Sequence, residues 1–127
     1  MTQIKILTVD DSALSRRRFI AKPLRDAGYE VVEAASGVEG LKVASEEQPD
    51  IVLSDLLMPE MDGFEFVEKL KATGFAGPVM VLSADIQESS QQRVQELGAF
   101  AFINKPIKPE ALLAEVRAAE ETLTAGV

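Results

Sequence analysis

Short runs rich in valine and isoleucine alternate along the chain with longer segments in which apolar residues recur every three or four positions. The runs are Ile4–Val9, Val31–Ala34, Ile51–Leu53, Val79–Leu82 and Ala101–Ile103. Being short, β-branched and mostly continuous, they predict strands covered on both faces. The intervening segments carry helix punctuation. Ser36 with Glu39 forms a capping box opening a helix to about Glu47, and Pro49 lies beyond its end. Asp62 with Glu65 is a second candidate cap, ahead of a face bearing Val67 and Leu70. Gly28 and Gly98 stand where two helices should stop. Pro109 suits the first turn of the last helix, with Leu112, Val116, Ala119 and Leu123 as its apolar stripe. The fourth helix, Gln87 to Leu97, is mostly polar, and its sparse anchors, Val94 and Leu97, predict mobility. In the first helix, Pro23 has no amide hydrogen and clashes with the Phe19 carbonyl, at a cost of ~3 kcal/mol in a regular helix. A bulge or kink between about Arg16 and Pro23 is therefore expected.

Five strands alternating with five helices imply an α/β fold, a parallel sheet with helices on both faces. Right-handed crossovers leave few strand orders. Sites in such sheets form beyond the carboxyl ends of the strands, where strand order reverses. Asp10 and Asp11 follow the first strand, Asp55 and Ser83-Ala84 end the third and fourth, and Lys105-Pro106 follows the fifth. The fold would thus gather three carboxylates, a hydroxyl and an ammonium from four strands.

Composition narrows the chemistry. The chain has 127 residues, about one domain's worth, with ordinary globular fractions of apolar and charged residues. It holds neither cysteine nor histidine. That excludes a Ser-His-Asp triad, a thiol nucleophile, a Cys/His zinc site and disulfides, and leaves oxygen ligands for any metal. The formal charge of −8 disfavours nucleic acid and anionic lipid as partners. The longest uncharged stretch, Ala72 to Ala84, is 13 residues and broken by Gly74, Gly77 and Pro78, too short to span a bilayer. Met1 to Val9 lacks a signal-peptide layout, so a cytoplasmic single domain is expected. Any one aspartate after a strand can be a helix cap, and Asp11 suits that role for the first helix. Three converging carboxylates repel one another unless cations offset them. Lys105 supplies one positive charge, and a hard divalent cation such as Mg2+ suits the remainder. A carboxylate so placed is also suited to attack a phosphoryl group whose oxygens the cations offset.

The stretch Asp55-Leu56-Leu57-Met58-Pro59-Glu60-Met61-Asp62-Gly63 resembles the hallmark of CheY-like receiver domains of two-component response regulators. Val9-Asp10-Asp11-Ser12, Ala27-Gly28-Tyr29, Leu53-Ser54-Asp55, Leu82-Ser83-Ala84 and Asn104-Lys105-Pro106 fall in register with the same family. The resemblance implies a flavodoxin-like sheet in the order 2-1-3-4-5. It implies Asp55 as phosphoacceptor, with Asp11, Asp55 and the Leu57 carbonyl binding Mg2+ directly and Asp10 acting through bound water. Lys105 and the Ser83 hydroxyl would contact the phosphoryl oxygens, Ser83 doubling as a switch residue. Phe102 matches the aromatic whose rotamer reports the state, partly exposed before phosphorylation, and Lys105-Pro106 matches a cis peptide. Leu57 and Asp85 match positions flanking the path of the hydrolytic water. The Asp11-to-Gly28 span is one residue longer than the family's usual pattern, a second reason to expect a bulge in the first helix.

The implied function is a phosphorylation-activated switch. It would be loaded by a sensor histidine kinase, a phosphotransfer protein or a small phosphodonor, and reset by its own hydrolysis or a phosphatase. A downstream target protein would read its helix 4–strand 5–helix 5 face. A monomer or weak dimer is expected. The run Ser83-Ala84-Asp85-Ile86-Gln87 is similar to chemotaxis-type single-domain receivers, and with four residues after Leu123 a stand-alone receiver without an effector domain is expected. An aspartate-nucleophile phosphatase of the haloacid-dehalogenase type needs a second acid two residues after the nucleophile, where this chain has Leu57. A flavin module needs hydroxyls and amides in its first loop, where Asp10 and Asp11 repel phosphate unless a metal intervenes. A degenerate receiver kept only for docking is disfavoured because the signature residues are all present. Arg16, Arg17, Arg18, Lys22 and Arg25 read as a solvated basic face, the alternative being a docking patch for an acidic partner. Phe66 reads as packing rather than recognition.

Overall fold

The computed structural model describes residues 3–84 and 87–125. Strands β1 (Lys5–Val9), β2 (Glu30–Ala34), β3 (Ile51–Asp55), β4 (Val79–Ser83) and β5 (Ala101–Asn104) form one sheet. All pairings are parallel and the order is β2-β1-β3-β4-β5, as the resemblance implies. Helix α1 runs without interruption through Ala13–Arg16, a π-helical turn Arg17–Ala21, and Lys22–Asp26. Helices α2 (Gly37–Glu47), α3 (Gly63–Ala72), α4 (Glu88–Glu96) and α5 (Pro109–Ala125) complete the alternation.

The period of two along each strand sends alternate side chains to opposite layers. Ile6, Ile51, Leu53, Met80, Leu82 and Ile103 face α1 and α5, where they meet Ile20, Leu24, Leu112 and Val116. Leu7, Val9, Val52, Val79 and Val81 face the other layer and meet Phe66, Val67 and Leu70 of α3 and Val94 of α4. Phe66 is fully buried, so it packs as expected, and truncating it to alanine should cost about 3–5 kcal/mol. Helix α4 holds this layer chiefly through Val94, with Leu97 half-buried just past its end. Asp85 and Ile86 lie outside the described residues.

The capping signals are realised with two differences. Ser36 Oγ accepts from the Glu39 amide at 3.1 Å, but the Glu39 carboxylate reaches the Ala35 amide (3.3 Å), one residue ahead of the cap. Asp62 Oδ1 accepts from the Glu65 amide at 2.9 Å and caps α3. Helix α1 is capped not by Asp11 but by Ser12, whose Oγ accepts from the Ser15 amide at 3.3 Å. Its hydroxyl takes over the orphan donor, which leaves the Asp11 carboxylate out of the helix. Gly28 and Gly98 end their helices at φ 99° and 84°, a region glycine enters without a Cβ penalty.

The expected irregularity in α1 is a π-turn. The Lys22 amide donates to the Arg17 carbonyl, five residues back, just before Pro23. One extra residue is absorbed there. Among the described residues no helix is long and apolar enough to cross a membrane.

Candidate functional site

The carboxyl ends of β1, β3, β4 and β5 converge, and the residues expected there come together. One carboxylate oxygen from each of Asp10, Asp11 and Asp55 lies within 4.8 Å of the other two. Asp10 is 1% and Asp55 8% exposed, whereas Asp11 stands at the solvent edge. Lys105 Nζ sits 2.8 Å from Asp55 Oδ1 and 3.7 Å from Asp10 Oδ2. Ser83 is buried at the end of β4, and its carbonyl accepts from the Lys105 amide at 2.9 Å, which ties the lysine loop to the strand. The Lys105-Pro106 peptide is cis. Phe102 is half-buried against the second layer.

The segment after β3 is folded back tightly. The Gly63 amide donates to the Leu56 carbonyl at 2.7 Å, and a Cβ at Gly63 would stand 2.6 Å from the Asp55 carbonyl oxygen. Only glycine allows α3 to start so close to Asp55. Met58 and Met61 are buried, Met61 against Gly37 at the start of α2. Leu57, two residues after Asp55, is 67% exposed, so its side chain stands in solvent while its backbone belongs to the loop.

Electrostatics follow from this crowding. Burial pushes the Asp55 carboxyl above its ordinary range; the Lys105 ammonium opposes that push, and the charges of Asp10 and Asp11 add to it. Burial works against the Lys105 ammonium too, but Asp55 and Asp10 together outweigh it and hold the group above the usual lysine value. Both directions hold at once because one ammonium serves two buried acids, while Asp55 shares that ammonium and faces two carboxylates. Asp10 Oδ2 is buried without a hydrogen-bond partner among the described residues. A buried oxygen that makes no hydrogen bond, only the 3.7 Å approach of the Lys105 ammonium, beside two further carboxylates is a donor set for a hard divalent cation. The residues present therefore fit Mg2+.

Within the basic run only Arg16 departs from the expected solvated face. Arg16 is 5% exposed; its Nη1 donates to the Asp10 carbonyl and its Nε to Glu33 Oε1 on β2 at 2.8 Å. Arg25 Nη2 donates to Glu33 Oε2 and to the Val31 carbonyl, each at 3.1 Å. Burial alone would raise the Glu33 carboxyl, but the two guanidiniums prevail and hold it below its ordinary range. Arg17, Arg18, Lys22 and Arg25 face solvent as expected, with Arg17 Nε 3.9 Å from Glu33 Oε1. Glu33 carried no signal of its own, being one acid in a β-strand, and Arg16 was masked by the basic residues around it.

A family model described as the response regulator receiver domain matches residues 6–117. The chain is 38% identical over 117 residues to the probable transcriptional regulator ycf27 of Porphyridium aerugineum, which covers 92% of this chain and 48% of that protein. It is 35% identical over 114 residues to the alkaline phosphatase synthesis transcriptional regulatory protein PhoP of Bacillus subtilis, covering 90% and 47%. The chain thus spans about half the length of these curated relatives. Among solved structures, the chemotaxis protein CheY4 of Vibrio cholerae superposes with a TM-score of 0.88 at 35% identity, covering 93% of this chain and 99% of that one. A response regulator receiver domain from Clostridium thermocellum superposes at 0.91 with 25% identity, covering 98% and 99%.

Proposed function

The chain belongs to the response regulator receiver domain family, and on that premise we propose that it is a signalling switch turned on by phosphorylation of Asp55. The observation that carries this reading is the Asp55–Lys105 ion pair of 2.8 Å, set among three crowded carboxylates, one of which keeps a buried oxygen without a hydrogen bond. Asp11, Asp55 and the Leu57 carbonyl would hold Mg2+, with Asp10 acting through a bound water. When bound, the cation neutralises charge on the phosphoryl oxygens.

A carboxylate oxygen of Asp55 attacks phosphorus of a phosphohistidine or small phosphodonor. The new O–P bond forms as the donor's bond to phosphorus breaks, and the electron pair of that bond leaves with the donor. Lys105 is already beside Asp55 and moves its charge onto the arriving phosphoryl oxygens without a large excursion. The Ser83 hydroxyl then contacts a phosphoryl oxygen, and Phe102, half-buried before transfer, turns inward behind it. The face built from α4, β5 and α5 changes its affinity for a downstream target, a population shift biased by one charged group. The weak anchoring of α4 suits it to that change. The chain's chemistry is confined to its own phosphorylation and hydrolysis, and its donors are a sensor histidine kinase or phosphotransfer protein.

Incubation with Mg2+ and acetyl phosphate should add one phosphoryl group to the wild type and none to Asp55→Asn, read by intact mass spectrometry. Equal labelling of both proteins would remove Asp55 as the acceptor.

A further inference from the structure

We infer that the π-turn in α1 positions the acidic pocket: it turns Arg16 and Arg25 onto one carboxylate, Glu33, and through Arg16 fixes the backbone of Asp10 and Asp11. The inference rests on the reading of those acids as the groups that hold Mg2+.

Arg16 precedes the π-turn and Arg25 follows it, nine positions on. In a regular α-helix nine positions sweep about 900°, which leaves the two side chains about 180° apart, on opposite faces. The π-turn takes up one residue, so the arginines stand as if eight apart, about 80° around the axis. Both then reach β2. Glu33 accepts from Arg16 Nε at 2.8 Å on one oxygen and from Arg25 Nη2 at 3.1 Å on the other. Arg25 is further strapped to β2 through the Val31 carbonyl.

Arg16 also donates from Nη1 to the Asp10 carbonyl, the acceptor of the peptide that joins Asp10 to Asp11. The Asp10 amide donates to the Ala34 carbonyl at 3.1 Å, and Asp10 Oδ1 accepts from the Ser12 amide at 2.9 Å. Both sides of Asp10 are therefore anchored, the far side through a nearly buried guanidinium that Glu33 keeps in place. The backbone direction entering Asp11 follows from that anchor. A preset turn spares the cation the cost of ordering its ligands.

A Coulombic test of sign separates positioning from simple charge. Removing a cation near the pocket makes it more negative and on that ground alone strengthens Mg2+ binding. Loss of positioning weakens it. The full chain, labelled with nitrogen-15, would be titrated with magnesium chloride by NMR, with urea unfolding recorded for each protein. Arg16→Gln should weaken Mg2+ binding by about tenfold. Arg25→Gln, at a half-exposed residue that should not prevent folding, should weaken it by a smaller factor in the same direction. Without metal, the Ser12 amide should exchange with deuterium faster in both variants than their change in global stability allows. Unchanged or tighter Mg2+ binding by folded Arg25→Gln, with unaltered exchange at Ser12, would overturn the inference and leave the arginines a structural tie between α1 and β2. A wild type that shows no Mg2+-dependent shift at Asp10, Asp11 or Asp55 would instead refute the metal reading, while the exchange at Ser12 still decides the positioning.

Discussion

Replacing Asp55 by asparagine keeps the shape of the side chain and deletes one charge from the pocket, so its effect on stability reports the balance of that charge directly. At an effective dielectric constant of about 20, the Lys105 ammonium at 2.8 Å attracts Asp55 by about 6 kcal/mol. On the same scale a carboxylate oxygen within 4.8 Å repels it by about 3.5 kcal/mol or more. Asp10 is buried and exerts most of that repulsion; Asp11 is exposed, and water weakens its share. Attraction and repulsion therefore come close to cancelling. Desolvation of a carboxylate only 8% exposed then decides the sign, and it is unfavourable. In metal-free buffer at pH 7, Asp55→Asn should be more stable than wild type by about 1–2 kcal/mol, a rise in melting temperature of roughly 5 °C. Lys105 keeps Asp10 as a neighbour at 3.7 Å and a path to solvent, so it is not stranded. Added Mg2+ should narrow the gap. At ten times its dissociation constant a cation stabilises the wild type by about 1.4 kcal/mol, and the variant, short of one carboxylate, gains less. Thermal unfolding by circular dichroism with EDTA and then with Mg2+ gives both differences. A variant less stable than wild type in EDTA would show that the lysine dominates and that the pocket does not want a second cation.

Leu57→Asn should shorten the life of the phosphorylated state several-fold, because an exposed apolar side chain cannot orient a water by hydrogen bonding, whereas an amide can; timing the decay after donor removal checks this, and an equal or slower decay refutes it. Mg2+ affinity should be unchanged in that variant, since the backbone carbonyl at position 57 remains. Glu33→Gln should cost about 1–2 kcal/mol at pH 7 by leaving the nearly buried Arg16 without its counter-charge. Since the folded state holds the Glu33 carboxyl low, its stabilisation is present above the unfolded value near 4.3 and is lost as pH falls through the folded one. Urea unfolding of both proteins at falling pH should thus show the gap closing, and a gap independent of pH would place the effect in packing.

The fold was legible because its cues are local. Ser36, Asp62, Gly28 and Pro109 mark helix ends through hydrogen bonds or dihedrals that involve neighbours in sequence. The β-branched runs mark strands because both faces of β1, β3 and β4 are buried, whereas the edge strands β2 and β5 are only partly covered, short of the expectation for all five. The candidate site was legible for a related reason. A parallel sheet brings the ends of its strands together, so Asp10, Asp11, Asp55, Ser83 and Lys105 converge once the strands are placed. The choice between Asp11 and Ser12 as the cap was not legible, because both residue types cap well and only the backbone path after β1 decides.

Arg16 and Glu33 show where such reading stops. Periodicity assigns a face to a residue by counting 100° steps, and the count is valid only within an unbroken helix. Pro23 and the extra residue announce that the count fails in α1, and composition alone, a charged run, does not say which of its members turns inward. Once the π-turn is placed, the count resumes with an offset of one, and the two arginines become neighbours across the defect. Arg18 and Lys22 stay on the solvent side, and Arg17, though exposed, keeps its Nε 3.9 Å from Glu33 Oε1, so only Arg16 is drawn under the surface. A break in helix period located from a proline is therefore also a prediction about which distant side chains share a partner. Here that partner is a carboxylate bonded to an arginine that also holds the Asp10 carbonyl.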